Sequence, residues 1–343
     1  MSRAKQRVLA LVHRHLVPPD TVPEGADLVS APWRTEYDVI STLRALGHEV
    51  EVLGVQDDLG ALRRASAEWH PNIAFNLLEA FDDVAIFDQN VVSHLELLKL
   101  AYTGCNPRGL LIARDKSLAK KLLAYHRIAV PDFEVFQVGR KVRRPLRLTF
   151  PLIVKSRTQE ASVGISQASV VDTDDKLKER VAFIHESIGT AAIVERYIEG
   201  RELYVGVIGN QVLQSLPVWE LFFTNMPPEV RRIATDRVKW SVKYQKKYGI
   251  ESGPATDLAE ATAEHIQRIC RRTYRALELT GYARIDLRLD DAGTIWVLEA
   301  NPNPQIARGE DFAASAERVG IGYDALLQRI IGLGLRWQPE SFA

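Results

Sequence analysis

Cysteine is nearly missing from this chain: Cys105 and Cys270 are the only two in 343 residues. Two thiols cannot build a disulfide framework or a cysteine-rich zinc site, and they read as buried, reduced thiols. Long apolar runs are also missing. Nothing approaches the ~20 consecutive residues that span a bilayer. The apolar stretch Val8 to Val12 is shorter than the core of a signal peptide and is followed at once by His13, Arg14 and His15, so it reads as the first strand of a soluble, cytoplasmic protein. An excess of one charge is absent too: Lys plus Arg is 44 and Asp plus Glu is 44. Proteins that live on nucleic acid or anionic membrane usually carry a basic surplus, so neither partner is expected, although a local basic groove remains allowed. Internal repeats and low-complexity segments are lacking. With 46% hydrophobic and 26% charged residues, the composition is that of a folded chain long enough for two or three domains.

What is present begins with an alternation of strands and helices. Residues 7–12 form an apolar strand. Val39, Ile40, Leu43 and Leu46 share a helical face, and Gly47 suits the helix C-cap. HEVEVLGV is a second strand, residues 58–69 a second helix, and NIAFNLL a third strand. This order predicts a parallel, Rossmann-like layer. No G-x-G-x-x-G follows the first strand, so the layer is not a dinucleotide site. A helix over 88–99 and the segment AYTG close it. Near residue 114 the character changes. DKSLAKKLLAYHRI is amphipathic, with Leu118, Leu122 and Tyr125 on one side and lysines on the other. VPDFEVF, PLIVKS, GISQASVV and AAIVERYI are expected strands, with a basic loop (RKVRRPLRL) and a helix over 174–188 between them. From about residue 199 come strands ELYVGVIGN and VLQSLPVWEL, a charged, poorly periodic insertion over 222–256, a helix over 257–280, a hairpin (YARIDLRL, DDAG, TIWVLEAN) and a last helix, YDALLQRIIGLGL.

The hairpin carries the strongest chemical signal. Arg284 and Asp286 alternate with Ile285 and Leu287, and Glu299 and Asn301 alternate around Ala300, so each pair points to one face of its strand. Two carboxylates and an amide make a hard-oxygen pocket suited to Mg²⁺. The prolines of NPNP then end the strand abruptly. Lys155 closes an apolar strand, where it could neutralise phosphate oxygens. The loop after it ends in Ser162, Val163 and Gly164, small enough for backbone N–H groups to approach phosphate; alone, such a loop is a plain turn. In VERYIEGRE, Glu195, Ile198 and Glu202 offer carboxylates for an amino group and for ribose hydroxyls, with apolar surface for a base.

These segments, in this order, resemble the ATP-grasp superfamily, in its D-alanine–D-alanine ligase-like branch. The carrying elements are YTG with ARDKSLAKKLL, FPLIVKS with SVGIS, VERYIEGRE, and RIDLRL with VLEANPNP, Asp286 and Glu299 lying thirteen residues apart. The resemblance implies an α/β (α+β) ATP-grasp fold with an N-terminal Rossmann-like pre-ATP-grasp domain (1–114), a central ATP-grasp subdomain (115–198) and a C-terminal subdomain with the metal and catalytic site (199–343). It implies ATP as phosphoryl donor. Lys116, Lys155 and Ser162 would meet the nucleotide's phosphates, and Glu195, Ile198 and Glu202 its adenosine. Asp286, Glu299 and Asn301 would hold Mg²⁺, usually two ions, with Mn²⁺ an alternative. Arg284 would stabilise the acyl centre, Lys239 would reach the γ-phosphate, and Glu36 would hold the ammonium of the first substrate. The partners would be a small carboxylate and a small amine, and the family allows a homodimer.

The chain departs from the dipeptide ligases where substrates bind. Glu160 and Ala161 stand for a flap glycine and serine, and Trp240 for a tyrosine. After the metal strand, Gln305 replaces a glycine and, by ungapped count, Glu310 a serine; a small gap would bring Arg308 or Ser315 there instead. His13, His15, Asn76 and Glu79 also occupy loops that differ. Three functions remain open: a carboxylate–amine ligase for amino acids or a small peptide other than D-Ala plus D-Ala, a D-alanine–D-alanine ligase of cell-wall synthesis, and a nucleotide-binding regulator without catalysis.

Overall fold

A computed structural model describes residues 4–22, 27–28, 30–159 and 164–339, with Trp240 described for its backbone only. Its first layer follows the expected alternation. Strand β1 (Arg7–His13) pairs in parallel with β2 (Glu49–Val55) and β3 (Ile73–Asn76), in the order β2-β1-β3. Helices α1 (Arg34–Ala45) and α2 (Leu59–Trp69) make the crossovers. After α3 (Asp88–Leu97) comes a helix that the periodicity does not announce, α4 (Pro107–Arg114). Its signal is in the cap: Asn106 accepts from the Gly109 amide at 2.9 Å and Pro107 takes the first turn.

Helix α5 (Lys116–Tyr125) corrects the amphipathic expectation. Tyr125 is exposed, whereas Lys116 and Lys120 are buried. Lys116 and Lys120 face inward, while Lys121 stays exposed, because carboxylates from other segments meet those two.

A four-stranded antiparallel sheet follows, in the order β4-β7-β5-β6: β4 (Phe133–Phe136), β5 (Leu152–Ser156), β6 (Val170–Val171) and β7 (Ala192–Arg196), with α6 (Asp174–Phe183) against it. Phe136, Leu152, Val154, Leu177 and Val194 give it a core of its own. The strand expected over GISQASVV is reduced to Val170–Val171. Ser166 and Ser169 cap each other around a single 3-10 turn, so polar side chains satisfy the backbone before a ladder can.

The third sheet has five antiparallel strands in the order β10-β9-β8-β11-β12: β8 (Arg201–Ile208), β9 (Gln214–Phe223), β10 (Ile250–Pro254), β11 (Tyr282–Leu289) and β12 (Ile295–Pro302). The 222–256 insertion therefore contains the end of β9, helices α7 (Asp236–Trp240) and α8 (Val242–Tyr248), and an edge strand. That edge is exposed at Glu251 and Ser252, which hides its period. Helix α9 (Glu260–Ala276) lies on the sheet, and α10 (Asp311–Glu317) and α11 (Tyr323–Arg336) end the fold. Leu326, Leu327, Ile330 and Ile331 of α11 share one core with Val8, Val39, Leu43 and Phe75. A second core joins Leu9 and Leu11 to Val205, Ile285 and Val297. The first and third sheets are thus cemented together.

Both cysteines are buried, and burial pushes the Cys105 thiol up to about 12, as inert thiols require. Among the described residues, no helix is long and apolar enough to cross a membrane.

Candidate active site

The polar face of the terminal hairpin is built as the alternation demands. Arg284 stands opposite Asn301, and Asp286 opposite Glu299. Arg284 grips Asp286 through two bonds of 2.8 and 3.0 Å, and Asn301 donates to the same carboxylate at 3.0 Å. Burial would push the Glu299 carboxyl up. Lys116, Lys155, Lys239 and Arg284 outweigh it and hold the carboxyl near 2.

Two clefts meet on this face. The narrower is lined by Lys155, Glu195, Ile198, Glu202, Asp286 and Glu299, with apolar walls from Ile153, Ile165 and Ile233. The wider, of about 480 Å³, takes in Arg284, Asn301, Gln305, Glu310 and Asp311. Lys239 and Tyr204 line both, Lys239 coming from the insertion. Lys116 approaches from α5, 3.6 Å from Glu299 and bonded at 2.7 Å to the Gln159 carbonyl.

Two carboxylates stand otherwise than as free acceptors. Glu195 lines the narrower cleft and lies between Lys155 at 3.2 Å and Lys120 at 3.5 Å. Glu202 accepts from Arg288 and, at 3.1 Å, from the Tyr204 hydroxyl. A turn at Gly200, with φ +137°, delivers Glu202; a Cβ there would strike the Leu289 carbonyl. No motif in the sequence marks Lys120 or Tyr204. Arg288 has a signal, since it continues the 284-286-288 alternation. Tyr204 carries the Arg284 guanidinium 4.9 Å above its ring.

The substrate candidates separate. Gln305 and Glu310 line the wider cleft. Glu310 is the N-cap residue of α10 and pairs with Arg34 at 3.1 Å. Arg308 and Ser315 line neither cleft: Arg308 turns to α1, its amide on Asp38 and its side chain on Thr42, and buried Ser315 bonds the Phe312 carbonyl. Glu36 is buried on the first turn of α1 with one oxygen unpartnered. Burial, with Glu79 nearby, raises its carboxyl to about 7 despite a backbone hydrogen bond. Asn76 lines neither cleft; its side chain accepts from the Leu78 amide at 3.2 Å, a strand-end turn. His13 meets Asp83 at 3.3 Å, also outside the clefts. Glu160, Ala161, Ser162 and the Trp240 side chain lie outside the described residues.

A five-stranded antiparallel sheet presenting paired carboxylates, beside a smaller sheet presenting a buried lysine, is the arrangement of an ATP-grasp fold. The family model "D-ala D-ala ligase C-terminus" matches residues 122–332, more than half of the chain. A D-alanine–D-alanine ligase of Nitratidesulfovibrio vulgaris is 30% identical over 317 residues, covering 90% of this chain and 97% of that one. An uncharacterized protein of Sinorhizobium fredii, y4sG, is 28% identical over 326 residues, or 93% and 90% of the two chains. The crystal structure of a D-alanine–D-alanine ligase from Bacillus anthracis complexed with ATP matches with a TM-score of 0.74 at 22% identity, over 96% of this chain and 98% of that one; that likeness concerns the fold. The chain belongs to the D-alanine–D-alanine ligase-like family of ATP-grasp ligases.

Proposed function

We propose that this protein is an ATP-dependent, ADP-forming carboxylate–amine ligase that joins amino acids or a small peptide other than D-alanine plus D-alanine. The observation that carries the specificity is the presence of Glu310 and Gln305 in the wider cleft beside Arg284. A dipeptide ligase must desolvate the carboxylate of its incoming amino acid, which calls for neutral or positive donors. Glu310 offers that carboxylate no donor, and with Arg34 paired to it at 3.1 Å its remaining acceptor capacity favours a cationic or hydroxyl-bearing amine.

A carboxylate is a poor acyl donor because its oxygen leaves badly. Phosphoryl transfer from ATP yields ADP and an acyl phosphate, amine attack forms the amide, and phosphate departs. Lys155, Lys116 and Lys239 offset charge on the transferring group, Ile198 and its apolar neighbours take the base, and Glu202 takes the ribose. Arg284 stabilises the tetrahedral oxyanion. The hard-oxygen set of Asp286, Glu299 and Asn301 fits Mg²⁺: both carboxylates already sit among cations in this structure, and Asn301 keeps its carbonyl oxygen as a donor. When bound, Mg²⁺ supplies charge compensation to the phosphoryl group. Glu36, which lines neither cleft, is assigned to the ammonium of the first substrate, whose charge would favour its ionised form. The 222–256 segment, which brings Lys239 over both clefts, and the loop after Lys155 close the site against water. The same proposal divides the chain into 1–114, 115–198 and 199–343; each range holds the strands of one sheet.

Relatives named D-alanine–D-alanine ligase favour a second reading, synthesis of that dipeptide. Phosphate release measured with ATP and amino-acid pairs, with product masses read out, separates the two. Little or no D-Ala-D-Ala is expected at millimolar D-alanine. Efficient synthesis refutes the specificity and leaves the ligase chemistry standing.

A further inference from the structure

Strand β12 changes the side it serves halfway along. Ile295 and Val297 are buried opposite Leu289 and Leu287, whereas Glu299 and Asn301, of the same parity, stand opposite Asp286 and Arg284. An unbroken pleat would keep all four on one face and drive Glu299 into the core. The register instead skips one residue, Leu298, between the Leu287–Val297 and Asp286–Glu299 pairs. Such a bulge leaves the extra residue outside the ladder and re-aims its neighbour. The Leu298 carbonyl is taken by the ammonium of Lys120 at 2.8 Å. Lys120 comes from α5, is 1% exposed and lines neither cleft. Its second neighbour is Glu195, 3.5 Å away, which keeps the buried ammonium paired. Packing alone would not put a cation here, since burying one is costly.

We propose that Lys120 is a positioning residue for metal binding: by holding the Leu298 carbonyl it fixes the bulge that turns Glu299 out of the core to face Asp286. This rests on the assignment of Glu299 to Mg²⁺. Lys120 lines neither cleft, so its loss weakens metal-dependent binding more than metal-free nucleotide binding.

The test uses the full chain with Lys120→Met, which removes donor and charge, and Lys120→Gln, which keeps a shorter donor. Binding of Mn²⁺ in the presence of ADP is followed by electron paramagnetic resonance, and binding of metal-free ADP by calorimetry. Mn²⁺ affinity is expected to fall at least tenfold in the Met variant and about threefold in the Gln variant, while metal-free ADP binds within twofold of the parent in both. If the Met variant does not fold, the Gln variant decides alone. A folded variant whose Mn²⁺ affinity stays within twofold of the parent overturns the proposal, as does an equal loss of metal-free ADP binding. A parent protein that binds no Mn²⁺ with ADP overturns the assignment of Glu299 and the proposal with it.

Discussion

Asp286 and Glu299 are direct cross-strand partners, and each carboxylate has its own cation: Arg284 on Asp286 at 2.8 Å, Lys116 near Glu299 at 3.6 Å. Like charges directly opposite on antiparallel strands repel. The pair persists because cations from β11, α5, β5 and α7 surround it. Catalysis would draw on the same arrangement.

Glu299→Gln is expected to fold with a cooperative melt and to lose turnover by roughly 10²-fold, about 3 kcal/mol of transition-state stabilisation. Removing one anionic ligand leaves Asp286 as the remaining carboxylate beside Asn301 to hold the metal. Turnover equal to the parent at saturating Mg²⁺ would remove Glu299 from the site.

Lys155→Ala is expected to weaken ATP binding at a cost of roughly 1.5–3 kcal/mol, one charge-assisted contact. It also leaves Glu195 with Lys120 as its remaining lysine neighbour. Calorimetry with a non-hydrolysable ATP analogue checks this, and unchanged affinity with normal turnover contradicts it.

Arg284→Met is expected to bind nucleotide but to lose about 10²–10³ in kcat, the usual effect of deleting an oxyanion donor. Because Arg284 also grips Asp286, the Mg²⁺ requirement should rise. If ATP binds poorly yet turnover is normal at saturation, Arg284 serves the nucleotide instead.

Glu36→Gln tests the buried carboxyl. Its pKa rises from 4.5 to about 7 on folding, so the fold favours the protonated form. The resulting stability is fully present below pH 4.5 and is lost as pH rises through 7. Glutamine stays neutral, so the variant should exceed the parent by roughly 3 kcal/mol at pH 8 and match it near pH 4.5. Urea denaturation at the two pH values decides; the same gap at both would show that ionisation of Glu36 plays no part.

Much of the architecture was legible because its periods are local. The βαβαβ start at residues 7–76, the hairpin at 282–302 and the shared face of Arg284 and Asp286 follow from periods of 3.6 and 2. The bulge at Leu298 was legible in principle: Ile295 and Val297 are apolar while Glu299 and Asn301, of the same parity, are polar. Helix α4 could have been found from Asn106 and Pro107.

The sequence by itself determined which stretches are strands and helices and which hairpin residues share a face, since these depend on neighbours a few positions away. Only the tertiary structure decided which way α5 turns, because Lys120 meets Glu195 and Leu298 from segments 75 and 178 positions further on. It also put Glu310 rather than Arg308 on the wider cleft, though residues 308 and 310 both bond to α1. A lysine or glutamate is tolerable in a low-dielectric interior only where a partner compensates its desolvation. Which partner arrives is set by the packing of distant elements, and no local period encodes it.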